Sequence, residues 1–177
     1  GAFTACPTSP LSLGELAEGN HSFTAQAYDA AGNSSSTTVT WLVDTVAPGA
    51  PTITAGPVGA TPSPDATFEF TGAESGGLFR CQLDAQPAVT CTSPFDHIGL
   101  ADDTYTFRVR QVDAAGNVGP SVSRTWTVDT TPPATPTVSG PTSPSGLTSA
   151  QIDFSVAESG VTFQCELDGG GYAPCVD

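Results

Sequence analysis

Short runs in which apolar and polar residues alternate follow one another along the whole chain, and such alternation is typical of half-buried β-strands. In the middle of the chain these runs predict seven strands, at residues 52–55, 66–71, 78–83, 88–92, 95–98, 104–112 and 121–128. Gly, Pro, Asn and Asp separate the runs, as expected of tight turns. Seven short strands within about 85 residues predict an all-β fold, an antiparallel seven-stranded β-sandwich.

The same pattern is repeated along the chain. The stretch 79–91, FRCQLDAQPAVTC, recurs at 163–175 as FQCELDGGGYAPC, and its second half is present again at 1–6 as GAFTAC. The chain is therefore predicted to contain tandem β-sandwiches of about 84–85 residues each. The predicted divisions are 1–47 for the C-terminal part of an incomplete repeat, 48–133 for a complete repeat and 134–177 for the N-terminal part of a third.

Each of the two longer stretches carries two cysteines on either side of a turn-forming segment, which predicts a β-hairpin. The returning strand is expected to bring Cys91 directly opposite Cys81. Facing positions on antiparallel strands can meet disulfide geometry, so we expect the pairs Cys81–Cys91 and Cys165–Cys175. A zinc site needs close pairs such as C-x₂-C with further Cys or His, and redox catalysis needs C-x-x-C; the sequence contains neither pattern.

The two ends of the chain contain parts of repeats. Near the start, residues 11–13 predict a short strand, and residues 21–27 and 37–43 predict a long hairpin closed by the turn DAAGN. Near the end, residues 152–154 stand where residues 68–70 stand in the complete repeat.

Two proline-rich segments follow the predicted last strands. Residues 44–51 read DTVAPGAP, and residues 129–136 read DTTPPATP. Proline fixes φ and favours an extended course. These segments are therefore predicted to be stiff linkers that hold neighbouring repeats in a fixed relative orientation.

The acidic composition of the chain limits its possible binding partners. The chain has 18 Asp and Glu residues but only four Arg, which gives a net charge of −14. Two of those four, Arg108 and Arg110, alternate with apolar residues and are predicted to lie on the solvent face of their strand. Nucleic acid and anionic membranes attract basic surfaces, so neither is expected as a partner, and no apolar run has membrane-spanning length. The paired cysteines predict an oxidising compartment, which places the chain outside the cell or at its surface.

Residues 100–117, LADDTYTFRVRQVDAAGN, resemble the strand and turn signature of fibronectin type III and related immunoglobulin-like modules, including the Leu and Tyr of a tyrosine corner. With FxCxLD, a second Cys, DAAGN and VDTTPP, the chain resembles the tandem immunoglobulin-like repeats of large bacterial surface and secreted proteins. The resemblance covers the whole chain. It implies a role in adhesin stalks or filaments, or as a spacer beside catalytic domains. His21 replaces the corner Tyr in the first repeat, so the tyrosine corner cannot be carried over there.

Residue types that serve in catalysis are present, but their placement predicts no active site. His21 and His97 occupy positions at which the other repeats carry other residues, and neither G-x-S-x-G nor H-E-x-x-H occurs. Glu74, Glu158, Asp102 and Asp103 are interpreted as solvated loop charges and not as an acid/base pair. We therefore expect the segment not to be an enzyme.

Calcium is the cofactor for which the sequence contains candidate ligands. Two sets of oxygen-bearing residues are predicted to converge at repeat junctions, Asp29, Asn33 and Asp44 in one case and Asp113, Asn117 and Asp129 in the other. Calcium takes six to eight oxygen ligands, and each set supplies only part of that number. The resemblance to calcium-stiffened adhesin repeats favours the ion. In the alternative interpretation, Asp caps the turn while Gly and Asn adopt left-handed conformations.

The sequence is compatible with two functions. The first is structural, a repeat segment of a long extracellular or cell-surface protein, such as a filament, stalk or adhesin spacer, whose partners are adjacent repeats or other copies of the chain. The second is a glycan- or ligand-binding accessory module of a secreted protein or enzyme. Cys6 aligns with Cys91 and has no predicted partner, which favours an excerpt of a longer repeat chain. Trp41 and Trp126 are expected in the core, not on an exposed glycan platform.

Overall fold

The structure, a computed structural model, describes residues 10–143, 145–146 and 148–175. The secondary structure assigned in these ranges consists of β-strands. They are β1 Gly19–Tyr28, β2 Ser34–Val43, β3 Thr52–Ala55, β4 Gly59–Thr61, β5 Ala66–Thr71, β6 Leu78–Leu83, β7 Val89–Cys91, β8 Phe95–His97, β9 Asp103–Val112, β10 Val118–Val128, β11 Thr137–Ser139, β12 Asp153–Ser155, β13 Gln164–Cys165 and β14 Ala173–Pro174. The all-β prediction is confirmed. The described residues also contain no helix long and apolar enough to cross a membrane.

Two sheets pack face to face in the middle of the chain. One has the strand order β4-β10-β9-β6-β7 and the other the order β3-β5-β8. Phe68 of β5 stacks on Phe107 of β9 with 4.1 Å between ring centroids, and it meets Trp126 of β10 edge-on at 5.0 Å. The buried residues between the sheets are Ala66, Phe68, Phe70, Cys81, Leu83, Cys91, Phe107, Val109, Trp126 and Val128. The arrangement is therefore sandwich-like, with an aromatic centre.

All seven strands predicted for this part are present, four of them with ends that shift by one to three residues. An eighth strand, β4, pairs in parallel with the end of β10, so that Trp126 lies opposite Gly59. The prediction of seven strands, all antiparallel, is wrong in this respect. β4 has only three residues, of which one is partly buried, and so short a segment shows no alternation for the sequence pattern to reveal.

A β-bulge explains why β10 begins earlier than predicted. Its register with β9 shifts between the pairs Val118–Val112 and Ser121–Arg110. Pro120, which has no N–H to donate, lies in this irregular part, where proline is tolerated within a sheet.

The two ends of the chain form smaller sheets. β1 pairs with β2, β11 with β12, and β13 with β14. The strand predicted at residues 11–13 is absent. Its counterpart β8 pairs with β5, whereas the described part of the first repeat contains no strand equivalent to β5. Without that partner the backbone of residues 11–13 has no ladder to join.

Candidate functional site

The cysteine hairpin β6–β7 has a register that differs from the prediction. Cys91 lies opposite Phe79, and Cys81 lies opposite Val89, so the two cysteines are diagonal neighbours. The prediction that they face each other directly is wrong. The turn sets this register, because Asp84 adopts a positive φ of 50° immediately after β6.

Two disulfides connect the strands of these hairpins. Cys81 is bonded to Cys91 with 5.8 Å between Cα atoms, and Cys165 to Cys175 with 5.2 Å. Cys6 lies outside the described residues. Disulfides persist in oxidising compartments, so the two bridges are typical of an extracellular protein.

Each DAAGN turn is closed by its own aspartate. Oδ1 of Asp113 accepts a hydrogen bond from the backbone amide of Asn117 at 2.8 Å, and Oδ2 accepts one from Nδ2 of Asn117 at 2.8 Å. Asp29 and Asn33 repeat these contacts at 2.8 and 2.7 Å. Gly116 has a φ of 97°, whereas neither Asn has a positive φ. The contacts are those of a capped turn, with only the glycine in the left-handed region.

The donors in these turns favour the charged carboxylate. Burial raises the pKa of Asp113, but hydrogen bonds from Asn117 and the turn amides outweigh it and hold the pKa below its usual value. The side-chain hydrogen bond from Asn33 is the main cause of the lowered pKa of Asp29. Each carboxylate is therefore already engaged by the donors of its own turn.

The structure does not bring the third member of each predicted calcium set to its turn. Because Asp103 pairs with Val128 at the far end of the β9–β10 hairpin, Asp129 lies at the opposite end from the turn 113–117. Asp44 likewise follows the end of β2 that pairs with the start of β1, away from the turn 29–33. Among the residues that the structure describes, no group of three or more His, Cys, Asp or Glu side chains is arranged to hold a metal.

The turn 113–117 contacts the first linker instead. Nδ2 of Asn117 donates a hydrogen bond to the backbone carbonyl of Asp44 at 2.9 Å. Gly119, in the bulge of β10, lies so close to the linker that a Cβ there would come within 2.4 Å of the carbonyl oxygen of Pro48. Pro48 and Pro51 are buried. Packing against the central sandwich therefore also holds this linker, beyond the stiffness predicted from its prolines.

An acidic residue ahead of each long hairpin binds the linker that follows that hairpin. Oδ1 of Asp102 accepts hydrogen bonds from the amide and hydroxyl of Thr130 at 2.9 and 2.7 Å, and Oδ2 accepts one from the hydroxyl of Thr131 at 2.8 Å. Glu18 accepts from the amide of Thr45 at 3.0 Å and from its hydroxyl. We call these contacts the linker clamps. Asp102 is exposed, as expected of a loop charge, but its carboxylate is also hydrogen-bonded to the linker, which the sequence did not predict.

Loss of a linker clamp is expected to loosen its linker. The hydroxyl of Thr130 is the main cause of the lowered pKa of Asp102. The clamp should therefore hold at pH values above about 3.9, the ordinary pKa of Asp, and weaken as pH falls through the lower folded-state pKa. At neutral pH, Asp102→Ala should broaden the distance distribution between spin labels placed on either side of the linker. Asp103→Ala is the control, because among the described residues the Asp103 side chain bonds only the adjacent amide of Thr104. An unchanged distribution in Asp102→Ala would mean that the prolines alone set the linker geometry.

A histidine takes the place of the corner tyrosine. The hydroxyl of Tyr105 donates to the carbonyl of the residue four positions earlier at 3.0 Å, and Nε2 of His21 donates to the carbonyl four positions earlier at 2.7 Å. The two rings also pack on equivalent tryptophans, Tyr105 at 5.6 Å from Trp126 and His21 at 5.7 Å from Trp41. An imidazole N–H therefore supplies the same donor at this position of the first repeat, although no tyrosine is present there.

His97 is a packing residue. Its ring meets Phe95 and Phe107 edge-on, with centroids 5.1 and 6.3 Å apart. Burial lowers its pKa, which favours the neutral ring. In the described ranges, neither histidine is hydrogen-bonded to a carboxylate or to a nucleophilic side chain.

Comparison with known proteins finds a relative of which this chain matches a small part. No protein-family model matches the chain. The chain is similar to Exoglucanase B of Cellulomonas fimi, with 35% identity over 185 aligned residues. The alignment covers 95% of this chain, which spans only 16% of the length of that enzyme. The similarity therefore concerns a small part of an enzyme.

Proposed function

We propose that this chain is a non-catalytic accessory segment of an extracellular polysaccharide-degrading enzyme. The observation that carries the proposal is the extent of the match to Exoglucanase B, which takes in nearly all of this chain and 16% of the relative. A segment that accounts for so small a share of an enzyme is expected to be a module attached to the catalytic part. The two disulfides agree with a location outside the cytosol.

The segment is proposed to consist of immunoglobulin-like or fibronectin type III-like repeats divided at 1–47, 48–133 and 134–177. In the central part, strands β3, β5 and β8 share one sheet, and β6, β9 and β10 lie together in the other. This distribution has the pattern of strands A, B and E against C, F and G in immunoglobulin-like sandwiches. The corner hydrogen bond of Tyr105 supports the same assignment.

The association with an enzyme can be tested on native material. An antibody raised against this chain should recognise a secreted polypeptide much longer than 177 residues. After electrophoresis and renaturation in a gel that contains a β-glucan, the recognised band should degrade the glucan. The isolated chain should release no sugar from the same polymer. A recognised band without activity towards any of a panel of polysaccharides would contradict the proposal.

A structural repeat segment is the second candidate, favoured by an exposed apolar surface on the C-terminal part. The C-terminal part has an open apolar trough of about 490 Å³, lined among others by Pro136, Val138, Ile152, Phe154, Phe163 and Leu167. In the central sandwich the equivalent strands are covered by β9 and β10, whose counterparts are β1 and β2.

As the counterpart of β9–β10, the hairpin β1–β2 is proposed to cover such a trough in an adjacent repeat or a second copy. Under this second function, the purified chain should form head-to-tail assemblies that grow with concentration in light scattering. The native band should then lack glucanase activity. A chain that stays monomeric at every accessible concentration would count against it.

A further inference from the structure

Three of the four arginines lie together on the outer face of the five-stranded sheet. In the pairing of β6 with β9, Arg80 lies directly opposite Arg110, and Gln82 lies opposite Arg108. With Ser121 of β10, these side chains line a shallow polar cavity of about 90 Å³. A cationic face is unexpected on a chain with a net charge of −14.

The four arginines differ in their partners. Arg124, on the inner side of β10, donates to the carbonyls of Gly56 and Ile53 at 3.1 and 3.3 Å. Arg108 donates to a backbone carbonyl at 3.4 Å. Within the described ranges, Arg80 and Arg110 make neither a hydrogen bond nor an ion pair. Like charges placed directly opposite each other on adjacent strands are destabilising, and an anion between them would remove that cost.

The arginine pair is not needed to build the sandwich. The positions that correspond to Arg80 and Arg110 in the other repeats hold Gln164 and Gln26. Glutamine therefore serves at both positions elsewhere in the chain. The charge is a feature of the central repeat alone, as expected of a binding site and not of a folding requirement.

The neighbours of the pair indicate the kind of anion. One row across the sheet consists of Thr90, Arg80, Arg110 and Ser121. The next contains Gln82, Arg108 and Ser123. Apart from the small side chain of Ala88, which also lines the cavity, the side chains of these rows are polar or charged, although the buried core of a protein–protein interface is normally apolar and rich in aromatic residues. Hydroxyl and amide groups around a cationic pair suit a ligand that carries both carboxylates and many hydroxyls.

We propose that this face binds an acidic polysaccharide. The carboxylate of a uronic acid residue lies between Arg80 and Arg110, since guanidinium forks match carboxylate geometry. Thr90 and Ser121 hydrogen-bond hydroxyl groups of the flanking sugars. The proposed function does not specify an acidic polysaccharide as a ligand. The proposal of this site does not depend on the association with an enzyme.

Calorimetric titration of the complete chain with polygalacturonate tests the proposal. Fully methyl-esterified polygalacturonate is the matched ligand, because it has the same backbone without the charge. We expect the acid form to bind at least tenfold more tightly than the ester. Arg80→Gln with Arg110→Gln should lower the affinity for the acid form at least tenfold. The control pair Ser35→Asp with Ser36→Asp gives the same change in net charge on exposed positions of β2 and should stay within twofold of the unaltered chain.

Three results would overturn the proposal. The first is equal binding of the acid and ester forms, and the second is equal loss of affinity in the arginine and control variants. The third is binding of poly-L-glutamate as tightly as polygalacturonate, which would make the face a site for acidic protein segments. Thermal unfolding of each variant verifies that the sandwich is intact, and Arg110→Gln alone should already weaken binding measurably.

Discussion

Replacement of Gln111 by Ala is expected to lower the free energy of unfolding by about 2–3 kcal/mol. Gln111 is only 1% exposed, although it is polar. Its Oε1 accepts from the amide of Ala73 at 2.9 Å, and its Nε2 donates to the carbonyl of Glu74 at 2.7 Å. The side chain thus joins β9 to the loop between β5 and β6. Its removal leaves both backbone groups without these partners and opens a gap in the sandwich.

Urea unfolding followed by tryptophan fluorescence measures this effect. Gln82→Ala is the matched control, because the same residue type on neighbouring β6 is only partly buried and has no hydrogen bond in the described structure. We expect the control to change the free energy of unfolding by less than about 0.5 kcal/mol. Equal effects of the two substitutions would mean that Gln111 contributes no more than an ordinary surface glutamine.

Removal of the central disulfide is expected to have an effect of similar size. Closing a loop between cysteines ten residues apart stabilises a fold by about 2–3 kcal/mol in the chain-entropy account. Cys81→Ala with Cys91→Ala should lower the free energy of unfolding by at least this amount, because Cys81 is fully buried and its sulfur packs in the core.

The second hairpin provides the control for this prediction. Cys165→Ala with Cys175→Ala removes a bridge of the same sequence separation, but Cys165 is exposed. This pair should leave the unfolding transition of the central sandwich, reported by the buried Trp126, in place. Peptide mapping without reduction should also recover both bridges within their own hairpins. A bridge between the two hairpins, or an unchanged transition without the Cys81–Cys91 bridge, would contradict the prediction.

Residues that face the same way could be identified from the sequence, because alternation is a local property of a strand. Phe68, Phe107 and Val109 lie in the core as their spacing predicts. Register within the cysteine hairpin could not be identified in this way. A shift of two residues leaves every side chain on the same face, so alternation fits both registers equally well. The backbone conformation at Asp84 decides between them.

Contacts between residues far apart in the chain also could not be predicted from the sequence. Asp102 and Thr130 are 28 positions apart, and the carboxylate stands in a polar loop like many others. The sequence does contain a signal for these contacts, because equivalent positions of the two repeats hold an acidic residue, at 18 and 102, and a threonine, at 45 and 130. The signal could be interpreted only once the structure showed both pairs in contact. Alternation likewise placed Arg110 on the solvent face, whereas its neighbour Arg80 became known only from the order of the strands.

The sequence by itself determined that this chain is all-β, that its pattern repeats, and where most strands of the central sandwich lie. Period-two alternation, turn residues and matched motifs carry that information locally. Only the tertiary structure decided which linker each acidic residue binds, that the third member of each predicted calcium set lies at the opposite end of the hairpin from the other two, and that two arginines face each other across β6 and β9. Such contacts depend on strand order and register, which set the distance between residues far apart in sequence and leave no local periodicity behind.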